Sequence, residues 1–139
     1  MGRVSQPNRI YIVTFVTHDR FPFFNQLRPA RIVTRALNRT AGQETFCHVV
    51  MPDHVHWMLE LKDGIALSGA VQECKSVSAH GINKLLNRRG RVWQAGFHDH
   101  ALRTEEGIVA AARYIVANPI RARLCERVED YPHWDAVWI

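Results

Sequence analysis

The sequence predicts an α+β domain: an antiparallel sheet with helices packed on it. Three observations carry this. Short segments rich in β-branched and aromatic residues alternate apolar and polar positions, as strands with one buried face do. Stretches of helical period separate and follow them. Two of the strand segments are joined only by Pro52-Asp53, so they form an antiparallel hairpin. The predicted order, β-α-β-β-α-β-α, is close to the split βαβ, or ferredoxin-like, pattern.

The first strand is predicted over residues 9–18 (RIYIVTFVTH). Residues 19–26 hold Pro22 and Asn25 and form a loop. Pro29 suits the first turn of a helix running to about Ala41, with Gly42 as its stop. Residues 45–51 (TFCHVVM) make the second strand and residues 54–62 (HVHWMLELK) the third, ended by Asp63-Gly64. A long helix follows over about 65–87, with Val71, Cys74, Val77, Ile82, Leu85 and Leu86 as its apolar positions, closed by Arg88-Arg89-Gly90. Residues 91–102 are loop plus a short strand. Thr104 is a good N-cap, and Glu105 and Glu106 stand in the first turn, where the helix dipole favours acids. That helix is predicted to run to about Asn118 and to be cut by Pro119. The tail to Ile139 carries Tyr131, Trp134 and Trp138.

A length of 139 residues fits one domain, residues 1–139, and 47% apolar residues supply a core. No apolar run approaches the roughly 18 residues of a membrane span, and the polar start of the chain, with Arg3 and Arg9, does not look like a signal peptide. The expected location is the cytoplasm, with no membrane partner. Cys47, Cys74 and Cys125 are odd in number and far apart, which suits thiols in a reducing compartment. The net charge is +5, and 15 of the 18 basic residues are arginine. A planar guanidinium suits bidentate phosphate contact and base stacking, so the balance favours a polyanionic partner.

Two motifs carry chemistry. In His54-Val55-His56, strand alternation points both imidazoles to one face, while Val55, Trp57, Leu59 and Leu61 face the other and are buried. Two neutral imidazoles at that spacing can chelate one divalent cation; the plainer reading is a pair of histidines satisfying hydrogen bonds. His98-Asp99-His100 is a weaker pair because its middle residue is charged, and an auxiliary or DNA-facing role suits it better. His18, His48, His80 and His133 stand alone and are taken as structural. The second motif is Tyr114 with Asn118 four residues later on the same helix face. Tyrosine can act as a covalent nucleophile, and the amide oxygen of Asn118 can serve as a third, neutral ligand to a Lewis-acid cation. The plainer alternative is a core tyrosine with Asn118 as a helix cap.

The segments MPDHVHWMLEL (51–61), RRGRVWQAGFHDHALR (88–103) and ARYIVANPIRARL (112–124) resemble the REP-associated tyrosine transposases, within the HUH (His-hydrophobic-His) single-tyrosine transposases. The opening YIVTFVTHDRFPFF (11–24) is similar to that family's first strand and loop, so the likeness runs from about Arg9 to Trp134. The resemblance implies an HUH transposase-like sheet with helices, and Mg²⁺ or Mn²⁺ held by His54 and His56. It implies Tyr114 as the nucleophile, with Asn118 as the polar residue one turn on. The implied reaction is attack on a DNA phosphodiester, leaving a 5′-phosphotyrosine and a free 3′ hydroxyl that can later reverse the step. The implied partner is single-stranded or hairpin DNA of palindromic repeats, which places the protein at the nucleoid. Arg88, Arg89 and Arg91, followed by Trp93, fit a phosphate-binding and base-stacking segment. Arg103 closes the same motif, and Arg121, Arg123 and Arg127 form a second basic cluster. Relatives occur as monomers and as homodimers that share active sites, and either is open here. No further tail is expected after Ile139. Two other readings stand beside the enzyme: a non-catalytic hairpin-binding module of the same descent, and a hydrolase using His54, His56 and His98 or His100 with a metal-bound water.

Overall fold

The computed structural model describes residues 9–39 and 42–136. Its centre is a five-stranded antiparallel sheet in the order β4-β1-β3-β2-β5. The strands are β1 (Ile10–Val16), β2 (Gln43–Val50), β3 (His54–Leu61), β4 (His98–Leu102) and β5 (Trp134–Ala136). The helices are α1 (Leu27–Arg39), α2 (Leu67–Leu86), α3 (Glu105–Val116) and the short α4 (Asn118–Arg121). The first four strands and two helices reproduce the expected split βαβ arrangement.

The sheet has two unlike faces. On one, Val13 and Phe15 of β1 and Val55, Trp57, Leu59 and Leu61 of β3 pack against Ala30, Val33 and Leu37 of α1 and Val71, Cys74 and Ile82 of α2. This is the apolar side that alternation along β3 predicts, and it is fully buried. The opposite face carries Ile10, Met58, Cys47, Val49 and Leu102, with Ala112 and Ile115 of α3 laid on it. A bulge between Thr45 and Cys47 lets β2 serve both faces. It puts Thr45 on the first face, where its hydroxyl accepts from the Trp57 indole at 2.8 Å, and Cys47 on the second.

Element boundaries differ from the sequence expectations in a few places. Helix α1 starts at Leu27, two residues ahead of Pro29, and Ala41 lies outside the described residues. Pro119 does not end the chain's helical course. It occupies the first turn of α4, where a missing N–H costs no hydrogen bond. The tail forms an extra strand, β5, which pairs with β2 from Cys47 to Val49. Tyr131 anchors it by donating its hydroxyl to the Val50 carbonyl at 2.6 Å. Trp138 lies outside the described residues. Thr104 caps α3 as expected, accepting from the Gly107 amide at 3.0 Å.

Candidate functional site

The turn Pro52-Asp53 delivers His54 as the first residue of β3, and His56 follows on the same face. Their ring centroids are 4.9 Å apart and the rings nearly perpendicular, at 88°. Each ring is held by its Nδ1. That of His54 lies 2.8 Å from an Asp53 carboxylate oxygen, whose other oxygen lies 3.3 Å from the Arg20 guanidinium. That of His56 lies 3.0 Å from the hydroxyl of Thr14, its register partner on β1. Asp53 accepts and can only be met by an Nδ1–H. With Nδ1 of His54 carrying the proton, its lone pair sits on Nε2; the Thr14 hydroxyl can donate to or accept from the His56 Nδ1, and no described residue bonds either Nε2. Burial, reinforced by the charges of His54 and Arg121, pushes the His56 pKa down to about 4, so this imidazole is neutral at physiological pH. Burial would raise the Asp53 pKa, but the hydrogen bond and charge of His54, with Arg20 behind them, hold it below the ordinary carboxylate value. The arrangement is two imidazoles side by side, oriented from behind by a carboxylate and a hydroxyl, as metal-binding imidazoles are.

Helix α3 buries Ala112, Ile115 and Val116 and leaves Tyr114 on the outside, 63% exposed. Arg121, one turn past the α3–α4 junction, lays its guanidinium over the Tyr114 ring, 3.5 Å from the centroid. It also donates to the Tyr114 carbonyl at 2.6 Å. The charge of the same guanidinium adds to the lowering of the His56 pKa. Asn118, between them in sequence, has a buried side-chain nitrogen with no partner among the described residues. A half-turn about its last torsion exchanges that nitrogen for the amide oxygen, so the unpartnered end can meet a cation. Among the described residues no three His, Cys, Asp or Glu side chains gather to hold a metal. Two imidazoles on one face, with a buried amide end on the helix segment after Tyr114, have the chemistry of a neutral donor set for a divalent cation. Fewer than four protein ligands leaves positions open for phosphate oxygens, as at a catalytic metal centre.

The register places His98 beside Thr14, and His100 beside Ile12, on the face that carries His54 and His56. Thr14 thus separates His98 from His56 by a whole strand, and the ligand set that a metal-water hydrolase would draw from this pair is not assembled.

The arginine-rich segment 88–91 leads into a stretch that pairs with the end of β1. Its following residues bond to the end of β1 and the loop after it, with His18 donating to the Val92 carbonyl and Gln94 to that of Val16. Arg89 and Arg91 are exposed. Arg88 is half-buried and acts as a brace: it bonds Asn83 at 2.5 Å and the Arg91 carbonyl at 3.2 Å, and stacks over Phe23 at 4.9 Å. Trp93 corrects the sequence expectation. It is 6% exposed, packs against Phe15 and Phe24, and donates its indole N–H to Ser78 at 3.0 Å, so its ring is not available to stack on a base. Arg103 lies past the Leu102–Ile10–Glu60 end of the sheet, six residues along β3 from His54, or about 20 Å at the usual strand rise. There it lines a cavity of about 670 Å³ with Glu60, Glu105 and Arg113, and the structure does not bring it to the histidines. Arg123 is exposed, in a left-handed conformation (φ 61°), in the segment after Arg121. Arg127 is exposed and paired to Asp130 at 3.5 Å.

Sequence reasoning did not find Thr14, Asp53 or Arg20. The alternation of β1 could have flagged Thr14 as the one polar side chain between Ile12 and Val16 on its face, and Asp53 stands next to His54 in sequence.

The family described as "Transposase IS200 like" matches residues 5–118. A candidate REP-associated tyrosine transposase of Haemophilus influenzae is 26% identical over an alignment covering 89% of this chain and 77% of that protein. Among solved structures, a REP-associated tyrosine transposase bound to a REP hairpin superimposes with a TM-score of 0.76 at 23% identity, over 91% of this chain and 76% of that one. A candidate transposase from Deinococcus radiodurans superimposes with a TM-score of 0.61 at 21% identity, over 83% of this chain and 94% of that one. These two likenesses establish the same fold. With a family match that spans the strand histidines, the helix tyrosine and the asparagine one turn beyond it, the chain belongs to the IS200-like transposase family.

Proposed function

We propose that this transposase-family protein nicks and rejoins single-stranded or hairpin DNA through a covalent bond to Tyr114. One observation carries the reading. Two imidazoles stand side by side on one face of the sheet, with no described residue bonded to either Nε2. The residues His54, His56 and Asn118 would hold Mg²⁺ or Mn²⁺, which supplies Lewis-acid polarisation of a phosphate oxygen when bound. Tyr114 attacks the phosphorus with its hydroxyl oxygen; that O–P bond forms as the bond to the 3′ oxygen breaks. The phenolic proton leaves to solvent and the departing 3′ oxygen is protonated, giving a 5′-phosphotyrosine and a 3′ hydroxyl. One phosphodiester is exchanged for another, so neither water nor ATP is consumed, and the reverse attack joins strands. Asp53 and Thr14 hold the imidazoles in orientation; Arg121 positions the tyrosine ring; Arg89 and Arg91 supply exposed charge for phosphates. The hairpin-bound relative supports palindromic hairpin DNA as the partner. No described helix is long and apolar enough to cross a membrane, and a DNA-acting role supports a cytoplasmic, nucleoid-associated location.

The test is incubation with a labelled hairpin carrying single-stranded flanks, in Mn²⁺. A protein–DNA adduct that survives SDS is expected from the wild type. Tyr114→Phe should lose the adduct and keep hairpin binding. An adduct persisting in the Phe variant would remove Tyr114 from its role. Cleavage without an adduct would favour a hydrolase, and salt-sensitive binding with no cleavage in any metal would favour the non-catalytic module.

A further inference from the structure

With Trp93 in the core, the exposed aromatic side chain among the described residues of the loop following β1 is Phe21, 55% exposed. It sits at the apex of that loop, whose two ends are pinned to the turn that carries His54. Thr17 bonds the Asp53 carbonyl through both its amide (2.9 Å) and its hydroxyl (3.1 Å), and the Phe24 amide bonds the Pro52 carbonyl at 3.1 Å. Arg20, immediately before Phe21, pairs with the Asp53 carboxylate that holds His54. The two residues leading into the apex, Asp19 and Arg20, both adopt left-handed backbone (φ 55° and 56°), which residues with side chains rarely do. The bonds at the two ends of the loop brace this backbone.

Behind Phe21 the aromatic surface is continuous. Its ring lies 4.6 Å from that of buried Phe23, which in turn carries the Arg88 guanidinium at 4.9 Å. The surroundings are basic: Arg20 on the loop, and Arg88, Arg89 and Arg91 on the neighbouring segment. An exposed, backed aromatic ring among arginines, next to a cation site, has the chemistry that binds a nucleobase of a single strand. The base stacks on the ring while the flanking phosphates meet the guanidinium groups. We propose that Phe21 is a base-stacking platform for a nucleotide of the single strand flanking the hairpin, holding that strand at the histidine end of the sheet. This rests on the DNA-processing reading above and assigns the stacking role to a residue other than Trp93.

The test is binding by fluorescence anisotropy of two DNA hairpins with the same stem, one with a single-stranded flank and one blunt. Phe21→Ala should weaken binding of the flanked hairpin roughly 5- to 100-fold, the range of one lost base–aromatic stack, and leave the blunt hairpin within about twofold. Phe21→Trp should retain the flank preference, whereas Phe21→Leu should lose it like alanine. A 2-aminopurine moved along the flank should show one position quenched in the wild type and not in Phe21→Ala. Equal losses on both hairpins, full affinity in Phe21→Leu, or no loss in Phe21→Ala would each overturn the proposal. The outcomes separate from those of the Tyr114 assay. A flank preference that depends on Phe21 but comes with no covalent adduct would sustain the platform and overturn the nicking chemistry. An adduct through Tyr114 with binding indifferent to Phe21 would do the reverse.

Discussion

Acidification should destabilise this fold through a histidine that takes no part in the proposed chemistry. His48, on β2, is 1% exposed on the α1 side of the sheet; its Nε2 lies 3.4 Å from the Thr34 hydroxyl and its Nδ1 has no partner among the described residues. Burial pushes its pKa down from 6.5 to about 4; Asp135 opposes the shift and His133 adds to it. A base whose pKa falls on folding is neutral in both states above pH 6.5. As the pH drops below that value the unfolded chain takes up a proton and the folded chain does not. Stability is therefore lost as pH falls, from about 6.5 until the folded group also titrates near 4. With those two pKa values the linkage amounts to about 2 kcal/mol at pH 5 and about 3 kcal/mol at pH 4. His48→Gln keeps a polar group of similar size near Thr34 and removes the titration. Urea unfolding of both proteins, followed by tryptophan fluorescence at pH 7, 6 and 5, gives the comparison. Other histidines titrate in both, so the difference isolates His48. The wild type should lose about 2 kcal/mol more than the variant between pH 7 and 5. Parallel losses would mean that the protonated ring is accommodated in the fold, through Asp135 or water, and would refute the argument.

Two further outcomes follow from contacts around the site. Asp53→Asn should leave the fold intact but weaken Mn²⁺ affinity about 10- to 100-fold, read by the EPR signal of free Mn²⁺, because His54 loses the carboxylate that orients it; unchanged affinity would show that the ring needs no such support. Trp93→Ala should cost about 3–5 kcal/mol in unfolding experiments as a core truncation. Trp93→Phe should bind hairpin DNA like the wild type at temperatures where it is folded, and a tenfold loss of affinity there would restore a DNA-facing role to that ring.

The parts legible in the sequence are those set by local periodicity. Alternation along His54–Leu61 places two imidazoles opposite a buried Val, Trp, Leu, Leu stripe, because a strand's side chains switch faces at each residue whatever its partners are. Register is not local. That Thr14 would lie beside His56, or that His98 would be kept one strand away from it, depends on how β1 pairs with both β3 and β4. The three residues of β5 have too little pattern to announce a strand; pairing with β2 and the Tyr131 hydrogen bond make them one. Trp93 misled for a related reason. Its neighbours Arg88, Arg89, Gly90 and Arg91 have the composition of an exposed loop, yet a bridge to Thr17 turns the chain inward and drops the indole onto Phe15 and Phe24.

Two elements on one face of the sheet divide the work of the proposed reaction. The cation donors stand on β3, which has a strand on each side and a fully packed core behind it, so their separation is fixed by backbone pairing and by the Asp53 and Thr14 hydrogen bonds. A site that must present two nitrogen atoms to one small ion needs that rigidity, since errors of half an ångström already degrade such geometry. The nucleophile has a different requirement. Tyr114 must approach a phosphate, and then keep hold of a DNA end while another strand is brought in. It stands on the solvent side of α3, an element docked through Ala112 and Ile115 onto the sheet, with the Arg121 guanidinium laid over its ring. Helix α3 packs mainly on β2 and β5, and His98 and His100 of β4 are exposed. Placing the cation donors on the most constrained strand, and the tyrosine on a peripheral helix, lets one domain fix the metal while leaving room for the substrate to change partners.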